Sequence, residues 1–263
     1  MKPDRFLPPM LAGTAGDAFD DPAWRFEVKW DGWRAVVSHT DRLRVWSRQG
    51  RDLLVRFPGL VELGASLTPP VVVDGELLGV DAAGRPEFAV LYRRRPRWLY
   101  VVFDCLYDGS GWLIERPLRE RLQHLRRVAH PGPLLMLADG VEGQGRRFYE
   151  AVCQSGLEGV MAKRLDSAYR PGVRTDAWLK ILAWHEQTMT VVGVRPRAEG
   201  LSLVVAEPGQ ARNQPCTVVP APAELAARTG LIGSRVLIAA RGRNPQGRLR
   251  HPRFQGWAPE ARS

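Results

Sequence analysis

F-E-V-K-W-D-G-W-R, residues 26 to 34, sets one lysine, Lys29, between two carboxylates, Glu27 and Asp31, with Arg34 shortly after. Phe26, Val28 and Trp30 alternate with Glu27, Lys29 and Asp31, the period of a strand with one apolar and one polar face. The Asp31-Gly32 pair then ends the strand in a tight turn. On this reading Lys29 projects from the same face as the two carboxylates. A lysine held on a rigid strand beside acidic groups and an arginine is a candidate covalent nucleophile. An ordinary exposed hairpin edge explains the same stretch, and the remaining sequence has to separate the two.

Further strands carry polar residues where apolar ones are expected. V-V-V-D-G-E-L-L-G-V (71 to 80) reads as a buried strand that nevertheless holds Asp74 and Glu76, and a carboxylate there is costly unless paired or bound to a cation. E-G-V-M-A-K-R (158 to 164) opens on Glu158 and carries Lys163, and W-L-K-I-L (178 to 182) encloses Lys180. L-Y-V-V-F-D-C-L (99 to 106) is another buried strand, with Cys105 as an inert core thiol. Acidic and basic side chains on separate apolar strands imply a polar cleft between sheets.

Outward from these motifs, residues 1 to 25 read as an irregular lead-in, and R-A-V-V-S-H and L-R-V-W-S as strands joined by a turn at Asp41-Arg42. Helices are expected at 58 to 67, at 117 to 128 with Pro117 in the first helical position, and at 143 to 156. The composition shifts near Trp184 to Thr188. Beyond it come short β-like runs and one short helix at 221 to 228, as in a small β-barrel. The expected division is residues 1 to 185 and 186 to 263.

The chain has 263 residues and a net charge of +10, from 38 basic and 28 acidic residues, which favours a polyanionic partner such as nucleic acid. A GC-rich genome would enrich the same arginines, so the charge is support only. No apolar run is long enough to cross a membrane, and the first residues lack a signal-peptide core. Three widely spaced cysteines suggest a reducing cytosol and neither a disulfide framework nor a zinc site, and the five histidines show no ligand spacing. The R-R-R-P-R run at 93 to 97 reads first as a solvated face.

Taken in order, K-x-D-G-x-R (29 to 34), S-R-x-G (47 to 50), D-G-E (74 to 76), F-D-x-L (103 to 106), E-G-V-M-A-K (158 to 163) and W-L-K-I (178 to 181) resemble the ATP-dependent DNA ligases. These are covalent nucleotidyltransferases, related to RNA ligases and capping enzymes. The resemblance implies an α+β fold: an ATP-grasp-like adenylyltransferase domain of antiparallel sheets flanked by helices, then a small all-β OB-fold barrel. It also implies the minimal two-domain bacterial type, similar to the ligases of non-homologous end joining.

By the same resemblance, Lys29 attacks the α-phosphate of ATP and becomes a lysyl-adenylate. Such attack needs the neutral amine, which nearby cations favour and nearby carboxylates oppose. Metal is therefore expected on the carboxylates. Glu27 lies by the adenine, and Arg34 and Arg48 touch phosphate and sugar. Glu76 contacts the ribose or assists metal binding, Phe103 stacks on adenine, and Met161 is a candidate for the opposite face. Lys163, Arg174 and Lys180 surround the triphosphate and adenylate. Glu158, Glu76 and Asp31 are the metal candidates, with Mg2+ or Mn2+ as the ion; Asp31 could equally only fix the turn.

Two departures from the family pattern stand out. The usual R-x-D-K element near the end is missing, with Glu260-Ala261 where Asp-Lys is expected, and Leu182 replaces the second lysine of W-L-K-x-K. They imply slow self-adenylylation. Nicked or broken duplex DNA is the expected partner, with Ku and a repair polymerase or primase as further ones, for a monomer acting in the cytoplasm at the nucleoid. An RNA ligase or capping-type enzyme shares the lysine motif, and a degenerate DNA-end-binding module would tolerate the altered tail.

Overall fold

Runs of branched apolar residues, broken by glycine and proline, build a chain dominated by strands. A computed structural model describes residues 2–94, 96–198, 200–209, 216–222, 224–225, 229–241, 248–249 and 251–259. The strands and helices in order are β1 (Leu11–Thr14), β2 (Trp24–Val28), β3 (Trp33–His39), β4 (Leu43–Ser47), β5 (Val71–Gly79), β6 (Trp98–Tyr107), α1 (Leu118–Val128), β7 (Leu135–Leu137), β8 (Gly140–Glu142), α2 (Gly145–Gln154), β9 (Gly159–Arg164) and β10 (Arg174–Leu182). There follow β11 (His185–Pro196), β12 (Leu201–Ala206), β13 (Thr217–Ala221), β14 (Arg235–Ala240) and β15 (Arg253–Trp257). The chain divides into two compact units, Met1–Ile181 and Leu182–Ser263.

The first unit holds two five-stranded sheets, ordered β4-β3-β5-β6-β7 and β1-β10-β9-β2-β8. The sheet built on β5 is buried on both faces, which is why the apolar residues of V-V-V-D-G-E-L-L show no alternation with exposed polar ones. One face packs Val37, Val73, Tyr100 and Val102 against Leu118, Leu122 and Leu125 of α1. The other sets Val36, Val72, Val101 and Phe103 against Met10, Tyr169 and Trp178. That second layer carries the polar residues described below. α2 covers Phe26, Val160 and Ala162 of the other sheet through Val152.

Several expectations are corrected. The sheets are not wholly antiparallel: β1 runs parallel to β10 and β7 parallel to β6. Both strands are short edge strands without alternation, and β1 lies in the stretch read as a lead-in. The short helix expected at 58 to 67 does form, as a 3-10 helix over Pro58–Ser66, since Pro58, Gly59 and Gly64 disfavour the α form. Pro117 precedes α1 as its cap, with ψ 146°, and does not occupy the first helical turn.

In the second unit the strand order is β13-β12-β11-β14-β15, and every adjacent pair is antiparallel. Met189, Val191, Leu203, Val205, Val219, Val236 and Ile238 form its core. Of the helix expected at 221 to 228, Ala221 ends β13, while residues 223 and 226–228 lie outside the described residues, as does all of Glu260-Ala261. In the run at 93 to 97, Arg93 lies 3.7 Å from Glu87 and Arg97 donates to the Ala82 carbonyl at 3.2 Å, while Arg95 lies outside the described residues.

Candidate active site

β2 ends at Val28, so Lys29 stands just beyond the strand, although its backbone N–H still donates to the Gly159 carbonyl at 2.8 Å. This places Lys29 beside Glu158, the residue before β9. Lys29 Nζ donates to Glu158 Oε2 at 2.5 Å. The shared polar face expected for residues 27 to 31 is not what forms. Glu27 is buried, Asp31 is exposed, and Lys29 is held by a carboxylate more than a hundred residues away. The turn needs Gly32, because a Cβ there would sit 2.4 Å from the Leu77 carbonyl oxygen and 3.0 Å from Cγ of Glu76.

That close approach brings β5 to the lysine. Glu76 is directly opposite Arg34 in the β3–β5 ladder. Burial pushes its carboxyl up to about 7, against the pull of Arg34 and Lys29, while the negative charges of Asp74 and Glu158 push it further up. Lys29, Glu158 and Glu76 therefore share one electrostatic neighbourhood. Among the described residues no group of three or more His, Cys, Asp and Glu side chains is placed to hold a metal. The donors present do fit a hard divalent cation of the Mg2+ type, which binds through one or two carboxylates and completes its shell with phosphate oxygens and water. Glu76 and Glu158 would be those carboxylates. Asp31 carries no such indication beyond its position in the turn.

Arg34 was expected at phosphate or sugar, but most of its donors are already committed. Nε and Nη2 each donate to Asp74 at 2.6 Å, and Nη2 also reaches the Met10 carbonyl at 3.3 Å. The Tyr169 hydroxyl donates to the same Asp74 at 2.6 Å and accepts from the Met10 N–H at 3.0 Å. The guanidinium lies 4.7 Å from the centre of the Phe103 ring. Its charge is firmly fixed, because Asp74 raises its pKa in spite of burial. Arg48 is exposed and lines a cleft with Trp33, Arg34, Ser47, Gln49, Arg51 and Leu53.

Phe103 is nearly buried, edge-on to Trp178 with ring centres 6.1 Å apart. Lys163 Nζ stands 4.1 Å from its ring centre and donates to Glu27 Oε2 at 2.6 Å. Burial lowers the pKa of Lys163, and Glu27 works against that shift. Met161, half-buried, is opposite Glu27 in the β2–β9 ladder. Glu27, Met161, Lys163 and Phe103 thus form a second cluster beside the lysine. Arg174 is exposed and donates to the Ala12 carbonyl on β1, and Lys180 lies on β10 opposite Thr14.

Sequence reasoning missed Arg25, Tyr169 and Trp178. Arg25 is buried and donates to Glu27 Oε1 at 3.0 Å. Its signal was visible: a charged residue two places before Glu27 in a strand shares its face. Tyr169 offered no such signal, since its contact with Asp74 spans 95 positions of sequence.

The family model described as the ATP dependent DNA ligase domain matches residues 9–181. The multifunctional non-homologous end joining protein LigD of Mycolicibacterium smegmatis is 31% identical over 217 residues, covering 79% of this chain and 28% of that protein. A probable DNA ligase of Anaeromyxobacter dehalogenans is 38% identical over 210 residues, covering 70% of this chain and 40% of the relative. The chain therefore spans well under half the length of these relatives. Among solved structures, the ligase domain of M. tuberculosis LigD superposes with a TM-score of 0.63 at 28% identity, over 97% of this chain and 96% of that one. A mycobacterial DNA ligase D complexed with ATP and MES gives 0.62 at 28% identity, over 97% and 96%.

Proposed function

The chain belongs to the ATP-dependent DNA ligase family, with the sheet-rich nucleotidyltransferase fold of that family, and we propose on that basis that it seals DNA strand breaks through an adenylate carried on Lys29. One observation supports the assignment to this lysine above all: Nζ is held at 2.5 Å by Glu158, with the half-buried Glu76 carboxyl group in the same field. Lys29 attacks the α-phosphate, the bond to pyrophosphate breaks, and AMP remains on Nζ. AMP then passes to a 5′-phosphate at a break. A 3′-hydroxyl attacks that phosphate, joins the strand and releases AMP.

All three steps displace at phosphorus, so positioning and charge neutralisation do most of the catalysis. Glu158 orients Nζ and accepts its proton. Glu27, Met161, Lys163 and Phe103 seat the base. Arg34, Arg48, Arg174 and Lys180 supply positive charge along the phosphates. Glu76 and Glu158 would hold a divalent cation of the Mg2+ type, which when bound would supply positive charge against the developing phosphate charge. Asp31, exposed at the turn, acts chiefly to shape it.

The second unit acts as an OB-type barrel on DNA. Its edge strands β13 and β15 approach each other, as closure of the five-stranded sheet requires. Similarity to LigD proteins, which are named for non-homologous end joining, supports a place in end-joining repair. A Ku-type end-binding protein and a repair polymerase or primase would be its partners there, in the cytoplasm at the nucleoid. A nicked duplex with a 5′-phosphate, ATP and Mg2+ tests this. Sealing of DNA and not of the RNA counterpart, lost in Lys29→Ala, is the expected result. Sealing with GTP in place of ATP, or no sealing even of pre-adenylylated nicks, would overturn it.

A further inference from the structure

Arg25 is buried, and each nitrogen of its guanidinium donates a hydrogen bond in one corner of the first unit. Nε donates to Glu27 Oε1 at 3.0 Å, Nη1 to the Gly140 carbonyl at 3.2 Å and Nη2 to the Ala138 carbonyl at 3.2 Å. Those two carbonyls flank the link from β7, in one sheet, to β8, in the other. The link passes so close that a Cβ on Gly140 would lie 2.5 Å from the Phe26 carbonyl oxygen and 3.1 Å from Cζ of Arg25. Arg25 thus ties the Glu27 carboxylate to a closely packed backbone crossing.

The other oxygen of Glu27 is equally fixed, by Lys163 Nζ at 2.6 Å. Lys163 in turn faces the Phe103 ring. A carboxylate pinned by two cations at separate oxygens has one orientation, and its free lone pairs can only accept hydrogen bonds. A purine with a 6-amino group donates to such a carboxylate. A purine without that group leaves a desolvated acceptor unmatched, the situation in which hydrogen bonding discriminates most strongly.

We infer that Arg25 is a positioning residue for base recognition: by fixing Glu27 it makes the site select nucleoside triphosphates bearing a 6-amino purine. This rests on the reading that the nucleotide base sits by Glu27 and Phe103. Arg25 itself touches no substrate. A residue that merely stabilised the fold would affect all nucleotides alike, whereas this role affects the difference between them.

The test measures formation of the Lys29 adduct at increasing ATP, and separately at increasing purine riboside 5′-triphosphate, which lacks only the 6-amino group. The intact protein should favour ATP in KM by about tenfold or more, the effect of one hydrogen bond to a charged group. In Arg25→Met that preference should collapse towards unity, with the rate at saturating nucleotide within about threefold of the parent, as expected when only ground-state binding is lost. Arg25→Lys, which keeps a cation beside Glu27, should recover part of the preference and serves if Arg25→Met does not fold. An equal loss for both nucleotides, or an unchanged preference in both variants, would overturn the proposal while leaving the ligase reading intact. Absence of any adduct on the intact protein would overturn the ligase reading and this proposal with it.

Discussion

Arg34 and Asp74 meet as a two-point ion pair across β3 and β5, Nε to Oδ1 and Nη2 to Oδ2, both at 2.6 Å. Asp74 is fully buried and also accepts from Tyr169. The first residue of D-G-E is therefore a structural partner for the arginine of K-x-D-G-x-R. Asp74→Ala strands that arginine beside a buried tyrosine hydroxyl. Breaking a buried pair from one side costs about 3–5 kcal/mol. Urea unfolding should show a loss of that order, and a loss below about 1 kcal/mol would mean the pair contributes as little as an exposed one.

The middle residue of D-G-E is set by space. A Cβ on Gly75 would fall 2.5 Å from Cζ of Tyr100 and 2.5 Å from the Val101 carbonyl oxygen. Tyr100 is held there by its hydroxyl donating to the Ala35 carbonyl at 2.9 Å. Gly75→Ala should destabilise by roughly 1–3 kcal/mol, the usual cost of overpacking a filled core. Denaturation midpoints should fall without a change in the slope of unfolding.

Glu76 gives the metal-free protein a particular pH dependence. Its folded value of about 7 lies above the ordinary 4.5, so between those values the folded state keeps a proton that the unfolded state has released. Its contribution to stability is complete below about pH 4.5 and is lost as pH rises through 7, in all on the order of 3 kcal/mol. With a chelator present, the stability difference between the parent and Glu76→Gln should change with pH only over that window. A difference that stays flat from pH 5 to 8 would refute the raised value.

Lys29 and Glu158 are partly exposed, so their pair adds little to stability, within about 1 kcal/mol. Glu158→Gln should melt almost as the parent does, yet form the Lys29 adduct roughly a hundredfold more slowly, since the group that orients and deprotonates Nζ is lost. Equal rates would remove Glu158 from the mechanism.

The strands carrying the motifs were legible because each couples an apolar run to misplaced charge, as in V-V-V-D-G-E and E-G-V-M-A-K. The pairing of those charges was not. Lys29 meets Glu158, Glu27 meets Lys163, and Asp74 meets Arg34 through sheet register and tertiary packing, to which local periodicity is blind. L-A-G-T gave no alternation, so β1 and its parallel pairing with β10 went unread. Arg25 showed as a charge in a strand, but only the close crossing at Gly140 gives it a purpose.

The central claim is that Lys29 carries AMP. Incubation with α-labelled ATP and Mg2+, followed by proteolysis and mass mapping, tests it directly. The account predicts label confined to the peptide containing Lys29, released by pyrophosphate and absent in Lys29→Ala. Label on another residue, or none on the parent protein with metal present, would contradict it.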